Sequence, residues 1–161
     1  MLGYPDQALG FSNEAVAVGE RVRHNYSRSR VLYCKSVVHA LRREWAIVEE
    51  CAAASIAVAQ EHGLGMMVAV ARIMLAAAQA IRDPCGDAAA DMRQVIGTYR
   101  ATGTRLHSTH HLTLFAQAAA ACGNYGEGLA GLREAASLVE DTGERYVEAE
   151  IRRLERRFAA G

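Results

Sequence analysis

An excess of charge of either sign is missing from this sequence. Its 161 residues carry 18 Lys plus Arg against 18 Asp plus Glu, a formal net charge of zero. A protein built to hold nucleic acid or an anionic membrane surface needs a basic excess, so no nucleic-acid or membrane partner is expected. Proline is scarce, at two residues, while the AVILMFWYC set reaches 51% and charged residues stop at 22%. That composition excludes disorder as the main state. The four cysteines, Cys34, Cys51, Cys85 and Cys122, stand 17, 34 and 37 residues apart, with no CxxC pair. Neither a zinc knuckle, a redox motif nor a disulfide scaffold is indicated, and a reducing, cytoplasmic setting follows. Met1 to Gly10 is short and mixed, with Pro5 and Asp6 inside it, which is not the pattern of a secretory signal.

One long apolar run exists, Leu64 to Ile81 (LGMMVAVARIMLAAAQAI), with Arg72 at its middle. Placing that arginine at a bilayer centre costs about 2.5–3.5 kcal/mol, and alanine returns little in compensation. A buried central helix of a helical stack accounts for the run better than a membrane span.

What is present is a repeat. Gly63, Gly103 and Gly143 are 40 residues apart, and each ends a helical pattern where a left-handed C-cap favours glycine. Val16, Ile56, Ile96 and Ala136 form one column at this spacing, and Cys34, Met74, Leu114 and Leu154 another. Ser36, Ala76 and Ala116 form a small-residue column, which lets two helices approach closely. Glu20, Gln60, Arg100 and Glu140 form a polar one. Val147, Ile151, Leu154 and Phe158 run at helical spacing, and no alternating strand pattern lasts five residues. The spacing predicts eight helices over 5–22, 25–43, 45–62, 64–82, 85–102, 104–122, 125–142 and 145–159. The expected architecture is all-α: one domain, 1–161, in which antiparallel pairs (25–62, 64–102, 104–142) stack as a right-handed solenoid between unpaired end helices.

The register predicts unfinished ends. Leu2-Gly3-Tyr4 reads as the tail of a further helix, and the first helix carries more apolar residues than a polar terminal cap should. Either the chain is a piece of a longer protein or its open end is covered by a second copy. In the second case Leu9, Phe11 and Val16 are the self-association candidates.

The helix-turn-helix units, the small residues at Ser36, Ala76 and Ala116, and Tyr-Pro-Asp-Gln-Ala-Leu at 4–9 resemble tetratricopeptide-type (TPR-like) repeats, although a period of 40 departs from their usual length. A closer resemblance covers nearly the whole chain, through LGYPDQAL (2–9), LRREW (41–45), DMRQVIGTYRATG (91–103), GEGLAGLREA (126–135) and VEDTGERYVEAEIRRLE (139–155). It is to the C-terminal repeat region of large bacterial signalling proteins that join a class III adenylate/guanylate cyclase to an AAA-type ATPase. The 17 arginines against a single lysine, Lys35, fit the high-GC coding of such a bacterial source. The resemblance implies a regulatory region that senses a ligand or partner. No cyclase aspartate or phosphate loop maps onto this chain, so no catalytic residue is carried over.

His107 and His111 are i, i+4, a spacing that can present two imidazoles to one zinc, but no HExxH carboxylate accompanies them and their columns hold Met67, Val147, Val31 and Ile151. They read as packed histidines, with a small metal-dependent enzyme as the remaining alternative. By analogy with TPR-like stacks, the columns of Arg30, Tyr33, His110, Thr113, Gln117 and Glu150, with Arg153 and Arg157, face a concave groove that takes an extended peptide. Gly123-Asn-Tyr-Gly126-Glu-Gly128 lacks the GK[ST] of a phosphate loop and reads as an inter-helix turn. Asp87 and Asp91 read as an exposed acidic pair. Arg152, Arg153, Arg156 and Arg157 of the last helix share it with Glu144, Glu148, Glu150 and Glu155, so pairing such as Glu148 to Arg152 is expected in place of a phosphate-binding ridge. Together these features predict a non-catalytic protein-interaction and regulatory module, without cofactor or metal, with a stand-alone homo-oligomeric scaffold as the alternative.

Overall fold

The structure, a computed structural model, describes residues 4–84 and 88–159. All their regular structure is helical: α1 (Pro5–Val22), α2 (Asn25–Leu41), α3 (Trp45–Glu61), α4 (Gly65–Arg82), α5 (Ala88–Ala101), α6 (Ser108–Ala121), α7 (Tyr125–Thr142) and α8 (Glu148–Ala159), with a 3₁₀ turn, Arg145–Val147, ahead of α8. No strand occurs among the described residues. The readings of Leu2-Gly3, Cys85 and Asp87 lie outside the described residues.

Helix punctuation recurs at half the sequence period. Positive φ recurs at Arg23, Arg43, Gly63, Gly103, Gly123 and Gly143, positions spaced by 20 or, across residue 83, by 40, and occurs outside this series at His107. At Gly63 the Leu64 N–H reaches back to the Ala59 carbonyl at 2.8 Å, which satisfies a carbonyl that the ended helix leaves open. The Glu44 N–H does the same to His39 at 3.0 Å across Arg43, with no glycine to ease the left-handed backbone. That strain is about 1–2 kcal/mol. It also ends α2 at Leu41, two residues short of the predicted 43.

Among the described residues, two other boundaries depart from the spacing by more than one residue. α6 begins at Ser108, four residues after the predicted start at 104, because His107 adopts φ 59° and breaks the first turn. α8 begins at Glu148 behind the 3₁₀ turn.

The chain divides into two compact units, one carrying α1–α4 and ending at Arg82, the other beginning at Asp83. In the first, α1 packs on α2, α2 on α3, and α3 on α4, with α2 also touching α4. Tyr33, Val48, Met67, Ile73 and Met74 are each 1% exposed or less and form its core. Each such side chain contributes about 1.5–3 kcal/mol by leaving water. At the α2–α3 crossing the Ser29 hydroxyl donates to the Ser55 carbonyl at 3.1 Å and the Ser55 hydroxyl to the Ser29 carbonyl at 2.8 Å. This reciprocal pair leaves neither buried hydroxyl unsatisfied. α4 is the one described helix long and apolar enough to cross a membrane, and eight of its residues, Met67 to Ala80, are buried.

In the second unit, α6 packs on α7, α7 on α8, and α5 on α6. Leu112, Ala116, Leu132, Ala135, Ile151, Leu154 and Phe158 form its core. Gly128 and Gly131 let α7 lie close on α6: a Cβ at 131 would stand 2.8 Å from the Phe115 ring. On the outside, Arg93 pairs with Glu127 at 3.2 Å and stacks 4.2 Å from the Phe115 centroid, while Arg100 pairs with Glu134 one turn pair further on.

Candidate functional site

The two broken turns of the second unit meet. His107 takes the N-cap position of α6 but makes no side-chain cap bond. The cap comes from Glu144, at the end of the α7–α8 connection. Its carboxylate accepts the His107 N–H at 2.7 Å, the Thr109 N–H at 3.2 Å and the Thr109 hydroxyl at 2.5 Å. A carboxylate at a helix N-terminus satisfies open N–H groups and faces the positive end of the helix dipole. Tyr146, in the 3₁₀ turn, places its hydroxyl 3.0 Å from His107 Nδ1. Tyr99, on α5, donates its hydroxyl to the Leu106 carbonyl at 3.1 Å and sets its ring edge-on to His111 at 5.2 Å.

Behind this cap His110 and His111 are buried, at 3% and 0% exposure. Both ring nitrogens of His111, and Nδ1 of His110, lie in the interior without a hydrogen bond to another described residue. Burial, followed by the neighbouring His107, depresses the His110 imidazole to about 4. Burial, then His110 and His107, holds His111 well below its ordinary range. Burial, then the Glu144 carboxylate, raises the Tyr146 phenol above its ordinary value. At neutral pH His110 and His111 are therefore uncharged. His107 lies before α6 instead of on its face, and its ring centroid is 6.4 Å from that of His111. Among the described residues no group of three His, Cys, Asp or Glu is placed to hold a metal ion.

A second feature lies in the first unit. α1 and α2 enclose an open groove of about 430 Å³ lined by Phe11, Glu14, Ala15, Val18, Gly19 and Val22 of α1 with Ser27 and Val31 of α2. Gly19 permits it: a Cβ there would stand 2.8 Å from Val31 Cγ2, so α1 lies closely on α2 and its neighbouring stripe is left uncovered. Phe11 is 70% exposed, Val22 60% and Val18 40%. Three apolar side chains in line at such exposure are unlike the scattered apolar residues of an ordinary surface.

The sequence-predicted groove residues are placed as follows. Tyr33, His110 and Thr113 are buried, and Thr113 donates to the Thr109 carbonyl at 2.7 Å. Arg30 is half-buried with its guanidinium 5.9 Å from the Tyr33 centroid. Gln117 and Glu150 are half-buried; Glu150 accepts two hydrogen bonds from Arg153, at 2.6 and 2.7 Å. Arg30 and Tyr33 belong to the first unit, the others to the second. Of the self-association candidates, Phe11 faces solvent, while Leu9 and Val16 are half-buried. Residues 123–128 form the turn into α7, and Glu148 pairs with Arg152, as the spacing predicts.

The spacing assigns Glu144 to the acids of the last helix, whereas it lies ahead of the 3₁₀ turn and caps α6; Tyr99 and Tyr146 were passed over, because a cap donated from another helix has no local pattern. Sequence reasoning also passed over Glu14, Arg21 and Val22, although the 4-3-4 spacing of Phe11, Ala15, Val18 and Val22 is a signal for a helix-pairing seam. No family model, curated protein or solved structure matches the chain.

Proposed function

We propose that this chain is a non-catalytic protein-interaction and regulatory module whose helix pairs belong to a TPR-like superhelix. The observation that carries the reading is the open apolar groove between α1 and α2, lined by Phe11, Val18 and Val22. A groove of this form takes the apolar face of an amphipathic helix. The segments LRREW, DMRQVIGTYRATG and VEDTGERYVEAEIRRLE support placing the module as the cytoplasmic sensor region of a bacterial cyclase–ATPase-type signalling protein. There, occupancy of the groove would be passed to neighbouring domains, a step that rests on fold-level analogy.

The test is a photo-cross-linking amino acid placed at Val18, in the groove, or at exposed Arg133 on α7 as a control. The expected result in source cells is a discrete protein adduct at position 18 that Phe11→Asp abolishes, with none at 133. Equal labelling at both positions, or none at either, would overturn the reading.

A further inference from the structure

We infer that the exposed face of α1 pairs antiparallel with α1 of a second copy of this chain. The inference rests on the reading of that face as a docking surface and names its occupant. Phe11, Ala15, Val18 and Val22 follow one another at intervals of four, three and four residues along α1. That is the spacing of a two-helix seam, with Phe11 and Val18 at one core position of the heptad and Ala15 and Val22 at the other. In an antiparallel pair the two kinds of core position face each other. With the two-fold axis midway between Ala15 and Val18, Phe11 of one copy lies against Val22 of the other, and Ala15 against Val18. Each layer then matches a larger side chain with a smaller one, and the contact is isologous and closed.

The charges select this occupant and this orientation. Glu14 and Arg21 are exposed, seven residues apart, and border the seam on the side away from Ser12 and Gly19, which are buried. Neither makes an ion pair with another described residue. In the antiparallel register residue 14 of one copy lies beside residue 21 of the other, so two Glu–Arg pairs form across the axis. A parallel pairing would set Glu14 beside Gly19 and gain no charge contact. An unrelated helix would have to carry the same apolar and charge pattern in reverse, which α1 does by its own symmetry. The seam spans 12 residues, about 18 Å of helix. A single helix pair of that length lies below the standard interface size, so the dimer is expected to be reversible at micromolar concentrations.

Sedimentation equilibrium of the purified chain, from about 5 µM to 1 mM, tests this across that weak-interface range. The expected result is a monomer–dimer equilibrium that Phe11→Asp abolishes; circular dichroism checks that the variant keeps its helix content. Glu14→Arg and Arg21→Glu each turn two attractive pairs into two repulsive ones and are expected to weaken association about tenfold. The double variant, and an equimolar mixture of the two single variants, are expected to recover it, because opposite charges again meet at 14 and 21. A chain that stays monomeric throughout the range, a dimer indifferent to Phe11→Asp, or single-variant defects that neither the double variant nor the mixture repairs would overturn the inference. A monomeric chain that still gives a heavier protein adduct at position 18 in cells would overturn the self-pairing alone and leave the docking reading in place.

Discussion

Lowering the pH from 7 to 5 should open the second unit, and the buried His110 sets a minimum for the effect. Its imidazole titrates at about 4 in the folded protein, against an ordinary value near 6.5. A depressed folded-state value means that the unfolded chain takes up its proton first as the pH falls. The folded unit is at full stability above about pH 6.5 and loses it progressively down to about pH 4. Linkage over that window gives a loss of about 2 kcal/mol at pH 5 and about 3 kcal/mol once His110 itself is charged. His111, also depressed, adds in the same direction. The groups facing this pair from the packed elements are Tyr99 on α5, His107 at the start of α6 and Tyr146 ahead of α8, with Glu144 reaching His107 behind them. None of the three facing groups carries a negative charge, and the Glu144 carboxylate is engaged in the α6 cap. Amide hydrogen exchange of α6 and α7, corrected for intrinsic rates, should show an opening constant about twentyfold larger at pH 5 than at pH 7 from His110 alone, since each 1.4 kcal/mol is tenfold. His110→Gln should flatten this pH dependence even where it lowers stability at pH 7, because the slope counts protons and not contacts. An opening constant that changes less than about twofold between the two pH values, or an unaltered slope in the variant, would refute the reasoning.

Glu144→Ala should destabilise the second unit by about 2–4 kcal/mol in urea denaturation, because it strands two backbone N–H groups and a hydroxyl at the start of α6. Glu144→Gln keeps only one of the two acceptor oxygens, so it loses either the His107 or the Thr109 contact together with the charge and should cost about 1–3 kcal/mol, less than the alanine variant. Gly131→Ala drives a methyl group to 2.8 Å from the fully buried Phe115 ring and should cost about 1–3 kcal/mol, read as a lowered melting temperature. Arg43→Gly should raise stability by about 0.5–1 kcal/mol in the same assay, as it relieves a left-handed backbone at a non-glycine residue.

The helices were legible because their ends are local. A left-handed stop at Gly63, Gly103, Gly123 and Gly143 is a property of a few consecutive residues, so a period read from the sequence places α1 and α7 to the residue. Phe11, Leu9 and Val16 are read together as apolar residues of α1, and only the packing separates exposed Phe11 from the half-buried other two. The stops at Arg43 and His107 were not legible, since a non-glycine residue adopts positive φ only when its surroundings hold it there. For His107 that surrounding is Glu144, 37 positions along the chain. The exposure of candidate residues also lay beyond the pattern. A column analogy assigned Tyr33, His110 and Thr113 to a groove, and the structure encloses all three.

By itself the sequence determined that this chain is helical, where most of its helices begin and end, and which residues recur as small or apolar contacts; these follow from backbone propensity and from spacing along one helix. The tertiary structure decided what no single helix contains. The Glu144 cap, the buried uncharged pair His110–His111 and the uncovered stripe from Phe11 to Val22 each depend on which helix lies against which, and so on free energies that arise only when distant segments exclude water together.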